Sequence, residues 1–321
     1  LVLNNSQIEN CSANSNGGGV ALSGSDSKLE LNGNSAITNC KANQYDGGGV
    51  FFFGTTAKLR SSTITKCSAT SYGGGICLNG YSSALELTQS RVSDCTAGNG
   101  GGICAYRQHG APQTAKLTLS GSTIEECKAT ATDGSGGGIY CAGGSWGNNS
   151  AVLENSSLVH CSATTGAGGG VYLGGAKDSL TLNSSNISDC GAADGGGICL
   201  DGSDAQLFAA GSTSVTDCTA SSNGGGIYFY GANSNLHKDA LTSGEAEITV
   251  TGCHANVSGG GIFVDSYKGR TCSLSFSDCT IYNNIADTSG SDFYLSKADY
   301  DVTLPSVSGK ELRHSTDSKI I

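Results

Sequence analysis

The sequence predicts an all-β solenoid: a single parallel β-helix of about ten coils, with three short strands in each. Three observations carry that prediction. Gly-Gly-Gly followed by Ile or Val occurs nine times, with triplets beginning at 17, 47, 73, 100, 136, 168, 195, 224 and 259. An apolar-x-x-Cys-x-Ala motif keeps step with it, as in Ile37/Cys40/Ala42, Ile64/Cys67/Ala69 and Val92/Cys95/Ala97. Its cysteines are Cys11, Cys40, Cys67, Cys95, Cys127, Cys161, Cys190, Cys218 and Cys253, spaced by 27 to 35 residues. A period of that size marks a repeat whose units bury their apolar faces only by stacking. Between the motifs, apolar residues alternate with period two in short runs, which is the strand pattern.

Residues 67–95 show one coil in order. Cys67 and Ala69 precede a polar stretch and the triplet Gly73–Gly75, and Ile76 and Leu78 form the first apolar pair. A turn leads to Leu85 and Leu87, and a short polar link containing Ser90 leads to Val92 and Cys95. No segment is long or periodic enough for a helix. Each strand is expected to pair with its copy one coil on, so equivalent residues form columns. Ten coils at about 4.8 Å between paired strands give a rod of roughly 50 Å. The cysteine column reads as small, buried, weakly polar side chains. A second column is Ser6, Ser35, Ser62, Ser90, Ser122, Ser156, Ser185 and Thr213. Small hydroxyls there can satisfy one another and the turn backbone. The glycines suit a tight corner where backbones approach closely.

The tenth coil departs from the pattern, with Asn284 at the cysteine place and Gly290-Ser291-Asp292 at the triplet. Residues 1–296 are assigned to the β-helix. Residues 297–321 are charged and irregular, and read as a cap or as the start of a following segment. The chain is expected to begin inside a longer precursor.

Composition narrows the function. A net charge of −10 argues against a nucleic-acid partner. No apolar run approaches 18 residues, so no membrane span is expected in this segment. The 15 cysteines contain no C-x-x-C pair, against a zinc ribbon. No metal, cofactor or catalytic residue is assigned. Asp94, Glu126, Asp189 and Asp217 each precede a ladder cysteine, and stacked carboxylates can bind Ca²⁺ or act as acid and base. Lys66, His160 and Gly252 break that column, which reads as a solvated corner.

The paired motifs resemble the repeats of the chlamydial polymorphic outer-membrane proteins and of related β-helix surface proteins of protists. The family pairs Gly-Gly-Ala-Ile with Phe-x-x-Asn. Here Gly-Gly-Gly-Ile/Val and Ile/Val-x-x-Cys stand in those places, and Ile281-x-x-Asn284 keeps the family asparagine. The resemblance implies a right-handed β-helix and a secreted or surface-displayed segment used for adhesion, or for assembly into a fibre or coat. The alternative is a carbohydrate-active β-helix enzyme of the polysaccharide lyase or hydrolase type.

Two groups of residues are candidates for contact. The residue after each Ile/Val anchor is expected to face outward. Phe51, Tyr140, Tyr172, Tyr228 and Phe263 would then form an apolar stripe for self-association or for another surface or matrix protein. Longer corners hold Tyr106, Arg107, His109, Trp146, His237, Lys238, Tyr267 and Arg270, a possible binding face with glycans as a further partner class. Cys77 and Cys104 share the outward place on adjacent coils and are the expected disulfide, if one forms.

Overall fold

The computed structural model describes residues 1–54, 56–80, 82–106, 114–144, 148–238, 247–265, 273–274 and 279–296. It is a right-handed parallel β-helix without an α-helix among these residues. Every named strand pairing is parallel, and the register links residues one coil apart, as in Ile64 with Ile37 and with Val92. Strands stack into four sheets of ten strands each. In coil order, sheet A begins with Val2–Asn4, sheet B with Gln7–Glu9, sheet C with Ser12–Ala13 and sheet D with Val20–Leu22. Sheets D, A and B hold the three expected strands. Sheet C adds a fourth, mostly two residues long, that carries the motif alanine, as in Lys41–Ala42 and Ser68–Ala69. It is too short to show alternation in the sequence.

Three left-handed corners bend each of the first seven coils, and the last two of the three recur in all ten. The first precedes the serine column, with positive φ at Asn34, Ser61, Gln89 and Asn155. The second precedes the ladder cysteine, and the third is the first glycine of each triplet, as at Gly73 with φ +65°. Asn, Asp and Gly tolerate this conformation best, which accounts for their recurrence at these places. The second and third glycines answer a different demand. A Cβ on Gly101 would lie 2.4 Å from the Lys128 nitrogen, and one on Gly102 would lie 2.6 Å from the Gly138 carbonyl. The next coil's backbone occupies the space a side chain would need.

The core is a stack of columns. Ile37, Ile64, Val92, Ile124, Leu158, Ile187, Val215 and Val250 face inward from sheet B, and pairs such as Leu85/Leu87 face inward from sheet A. Each such side chain contributes about 1.5–3 kcal/mol on full burial. The cysteine ladder is inside as expected: Cys40 through Cys253 are buried, and Cys11 on the first coil is half-buried. Each ladder thiol donates to the carbonyl two residues before it, and from Cys40 onward each also reaches a carbonyl of the preceding coil. Cys95 Sγ lies 3.1 Å from Ser93 O and 3.9 Å from Ile64 O. The hydroxyl column works similarly: Ser90 Oγ donates to Thr88 O at 2.9 Å and accepts the Ser62 N–H at 3.2 Å. Buried polar groups at this corner are thereby paired. The expected cap or following segment, 297–321, lies outside the described residues.

Candidate functional site

The outer face of sheet D differs from the other three faces. Its strands start at the glycine triplet, so backbone crowding leaves the residue after each anchor as the first outward side chain. These residues were expected to be wet, and the structure corrects that. Phe51, Tyr228 and Phe263 are only 8%, 9% and 6% exposed, and Cys77, Cys104 and Cys199 are buried as well. Tyr140 and Tyr172 are half-buried. The side chains do lie outside the main core: Cys199, Tyr228 and Phe263 form a separate cluster with Ala167, Tyr172, Tyr230 and Tyr294. Alternation along the strand therefore holds. What covers the row is its own aromatic neighbours.

Rings from three places on successive coils pack together. Tyr72 stacks on Tyr106 with centroids 4.1 Å apart, and both lie near Tyr140, at 6.0 and 6.3 Å. Tyr140 stacks on Tyr172 at 5.1 Å with planes 9° apart. Farther along, Tyr228 meets Tyr230 and Phe263, and Phe263 stacks on Tyr294 at 5.2 Å. The result is an aromatic seam along the rod, with offset contacts of the kind aromatic pairs prefer. Its rim carries carboxylates. Tyr172 donates its hydroxyl to Asp201. Tyr228 donates to Asp265 at 3.3 Å, and Ser296 donates to the other oxygen of Asp265 at 3.0 Å. Burial raises the phenols of Tyr140, Tyr172 and Tyr228 above their ordinary value, so they remain neutral donors at physiological pH.

Cys77 and Cys104 occupy the same rung of adjacent coils, as expected. They are nevertheless free thiols, and so are the other described cysteines. The two thiols lie close enough to interact through their side chains, each shifting the other. Burial pushes the Cys104 thiol well above its ordinary range, away from the thiolate that exchange needs.

The acidic column has a backbone explanation. Asp94, Glu126, Asp189 and Asp217 have φ of 53–54°, and so do Lys66 at 55° and His160 at 53° in the same place. The column is a left-handed corner occupied by whatever tolerates it. Among the described residues no group of three or more His, Cys, Asp or Glu is arranged to hold a metal. No described helix is long and apolar enough to cross a membrane.

Of the long-corner candidates, only Tyr106 has a described side chain, and it belongs to the seam. Arg107, His109, Trp146, Tyr267 and Arg270 lie outside the described residues. His237 and Lys238 sit on the sheet A strand Asn235–Lys238, and their side chains are not described.

Sequence reasoning missed Tyr72, Asp201 and Asp265. Tyr72 belongs to the column just before the triplets, where side chains bridge coils: Asp46 Oδ1 accepts the Tyr72 N–H at 3.2 Å, and Asp194 Oδ1 accepts the Asn223 N–H at 3.0 Å. Its regular spacing was a usable signal. Asp201 and Asp265 each stand two residues after an outward Cys or Phe, and only the ring direction reveals their role.

A family model described as the right-handed beta helix region matches residues 1–156. The repeat continues with the same geometry to Leu295. This chain is a β-helix repeat protein. No curated protein and no solved structure matches it.

Proposed function

We propose that this β-helix is a non-enzymatic module, displayed outside the cell or on its surface, that works in adhesion or in assembly of a fibre or coat. The aromatic seam on sheet D carries this reading. It is half-exposed at Tyr72, Tyr106, Tyr140, Tyr172, Tyr230 and Tyr294, and it runs along one face of the rod. Tyrosine is enriched where proteins meet, because it combines a large apolar body with a polar tip. The ring faces are largely taken up by one another, stacked as in Tyr140 and Tyr172 or edge-on as in Tyr106 and Tyr140, so ring edges are what a partner would meet. That geometry suits a protein partner better than a sugar, which stacks on an open ring face.

The test is a pair of half-buried substitutions, Tyr140→Ser with Tyr172→Ser, followed by circular dichroism and light scattering or partner capture. The expected result is a folded rod that no longer assembles or binds. Unchanged assembly would sink the reading. So would cleavage of a polysaccharide panel by the wild type that Asp189→Asn with Asp217→Asn abolishes, which would make the chain a carbohydrate-active enzyme.

A further inference from the structure

In a solenoid, position along the chain is position along the rod, so charge segregated in sequence is segregated in space. Residues 1–142, coils one to five, contain nine Lys/Arg and nine Asp/Glu. Residues 143–296, coils six to ten, contain four and fourteen, and residues 297–321 contain four and four. The whole net charge of −10 therefore falls within the sequence segment 143–296.

The segregation extends to the flanks of the seam. Sheet D lies between sheets C and A in each coil. In the first half, exposed lysines stand on both neighbours: Lys28 and Lys116 on sheet A, Lys41 and Lys128 on sheet C. In the second half the flanking charges are Asp194, Asp201, Asp204 and Asp265, with Tyr172 and Tyr228 bonded to two of them. Asp26, Glu30, Asp46, Glu86 and Asp133 in the first half and Lys177 and Lys238 in the second run against the trend, so the first half is balanced and the second acidic. We infer that the seam pairs with the seam of a second copy, antiparallel, so that the lysine-flanked half of each rod faces the carboxylate-flanked half of the other. Parallel pairing would set two halves of charge −10 against each other. Antiparallel pairing sets each against a neutral half with outward lysines, and such complementarity selects orientation more than affinity.

This inference rests on the assembly reading, and one experiment separates the two. Equal amounts of ¹⁴N- and ¹⁵N-labelled full chain are joined with a carbodiimide, which couples only touching amines and carboxylates. Mixed-isotope products linking Lys28 or Lys116 to carboxylates between 194 and 265 are expected. The double variant Lys28→Glu with Lys116→Glu should lower association by about tenfold or more while the circular dichroism stays unchanged. Mixed products confined to like halves would overturn the antiparallel arrangement and leave assembly standing. A monomer in light scattering at every concentration would overturn both. Capture of poly-lysine along coils six to ten of a monomeric chain would likewise reject self-pairing, in favour of a cationic partner.

Discussion

Coils nine and ten build the same corner from different residues. Coil nine has Gly259-Gly260-Gly261 with Cys253, whereas coil ten has Gly290-Ser291-Asp292 with Asn284. The first glycine survives in both, with φ of 67° and 65°. The second and third do not. A Cβ on Gly260 would lie 2.2 Å from the Ile285 carbonyl of coil ten, and one on Gly261 would lie 2.5 Å from the Asp292 carbonyl. No described strand stacks beyond coil ten, and there serine and aspartate take those places. One motif thus has two causes. The first glycine is required by its own backbone angle, and the next two by the coil above.

The ladder residue changes along with the triplet. Cys253 Sγ makes long contacts, 3.5 Å to Thr251 O and 3.7 Å to Val215 O. Asn284 makes four shorter ones. Its Oδ1 accepts the Cys253 N–H at 2.9 Å, and its Nδ2 donates to Val250 O and to Asp292 Oδ1, both at 3.0 Å. Its own N–H reaches Asp292 Oδ1 at 3.1 Å. An asparagine and a buried carboxylate replace a thiol and a hydrogen atom, and the exchange makes sense only as a pair.

The largest test of this contrast is Gly101→Ala. The added methyl meets immovable backbone, so the loss should exceed about 3 kcal/mol, at or beyond the usual cost of overpacking. Ser291→Ala, in the matching place on coil ten, should change denaturant midpoints little. Comparable losses at both sites would refute the steric account. Next in size is Asn284→Cys, which removes three side-chain hydrogen bonds: those to the Asp292 carboxylate and the Val250 carbonyl, and the one accepted from the Cys253 N–H. It should cost roughly 1.5–3 kcal/mol, as hydrogen bonds to charged groups do. Adding Asp292→Gly should recover much of that, and an additive double mutant would show that the two places are uncoupled.

A second buried carboxylate gives a pH test. Asp178 is fully buried and accepts the Asn149 and Gly175 N–H groups at 2.8 and 2.9 Å. Burial raises it to about 6 from an ordinary 3.8, and raises Asp46 to about 6 as well. The folded state then binds more protons than the unfolded chain between those values, so stability rises as pH falls from 7 towards 4. Asp178→Asn should flatten that rise, by roughly 1–2 kcal/mol across the window. Urea midpoints at pH 7 and pH 4.5 measure it, and an equal rise in the variant would exclude Asp178 as its source. The smallest effect expected is at Gly121, whose φ of 55° matches Asn34 and Asn155 in the same column and whose nearest outside atom is 3.8 Å away. Gly121→Asn should shift stability by less than about 0.5 kcal/mol. A loss like that of Gly101→Ala would mean that the corner angle and the crowding above it are not separable.

By itself, the sequence determined the repeat, the direction and register of pairing, the inward columns and the anomaly at coil ten. Periodicity is enough for these, because each coil must bury the same face against a copy of itself. The outer side was legible only as a position. The row after each anchor was found correctly, but its exposure was not. Covering it depends on Tyr72 and Tyr106, which come from different places in their coils and meet only when those coils stack. The acidic column shows the converse: four carboxylates with the spacing of a site turn out to share a left-handed corner with lysine and histidine. Which outward residues touch, which hydroxyl finds which carboxylate, and which glycine is crowded from above are relations between neighbouring coils at distances of a few ångströms. Only the tertiary structure decided them, because strand alternation gives the side a residue faces but not the direction its ring takes once there.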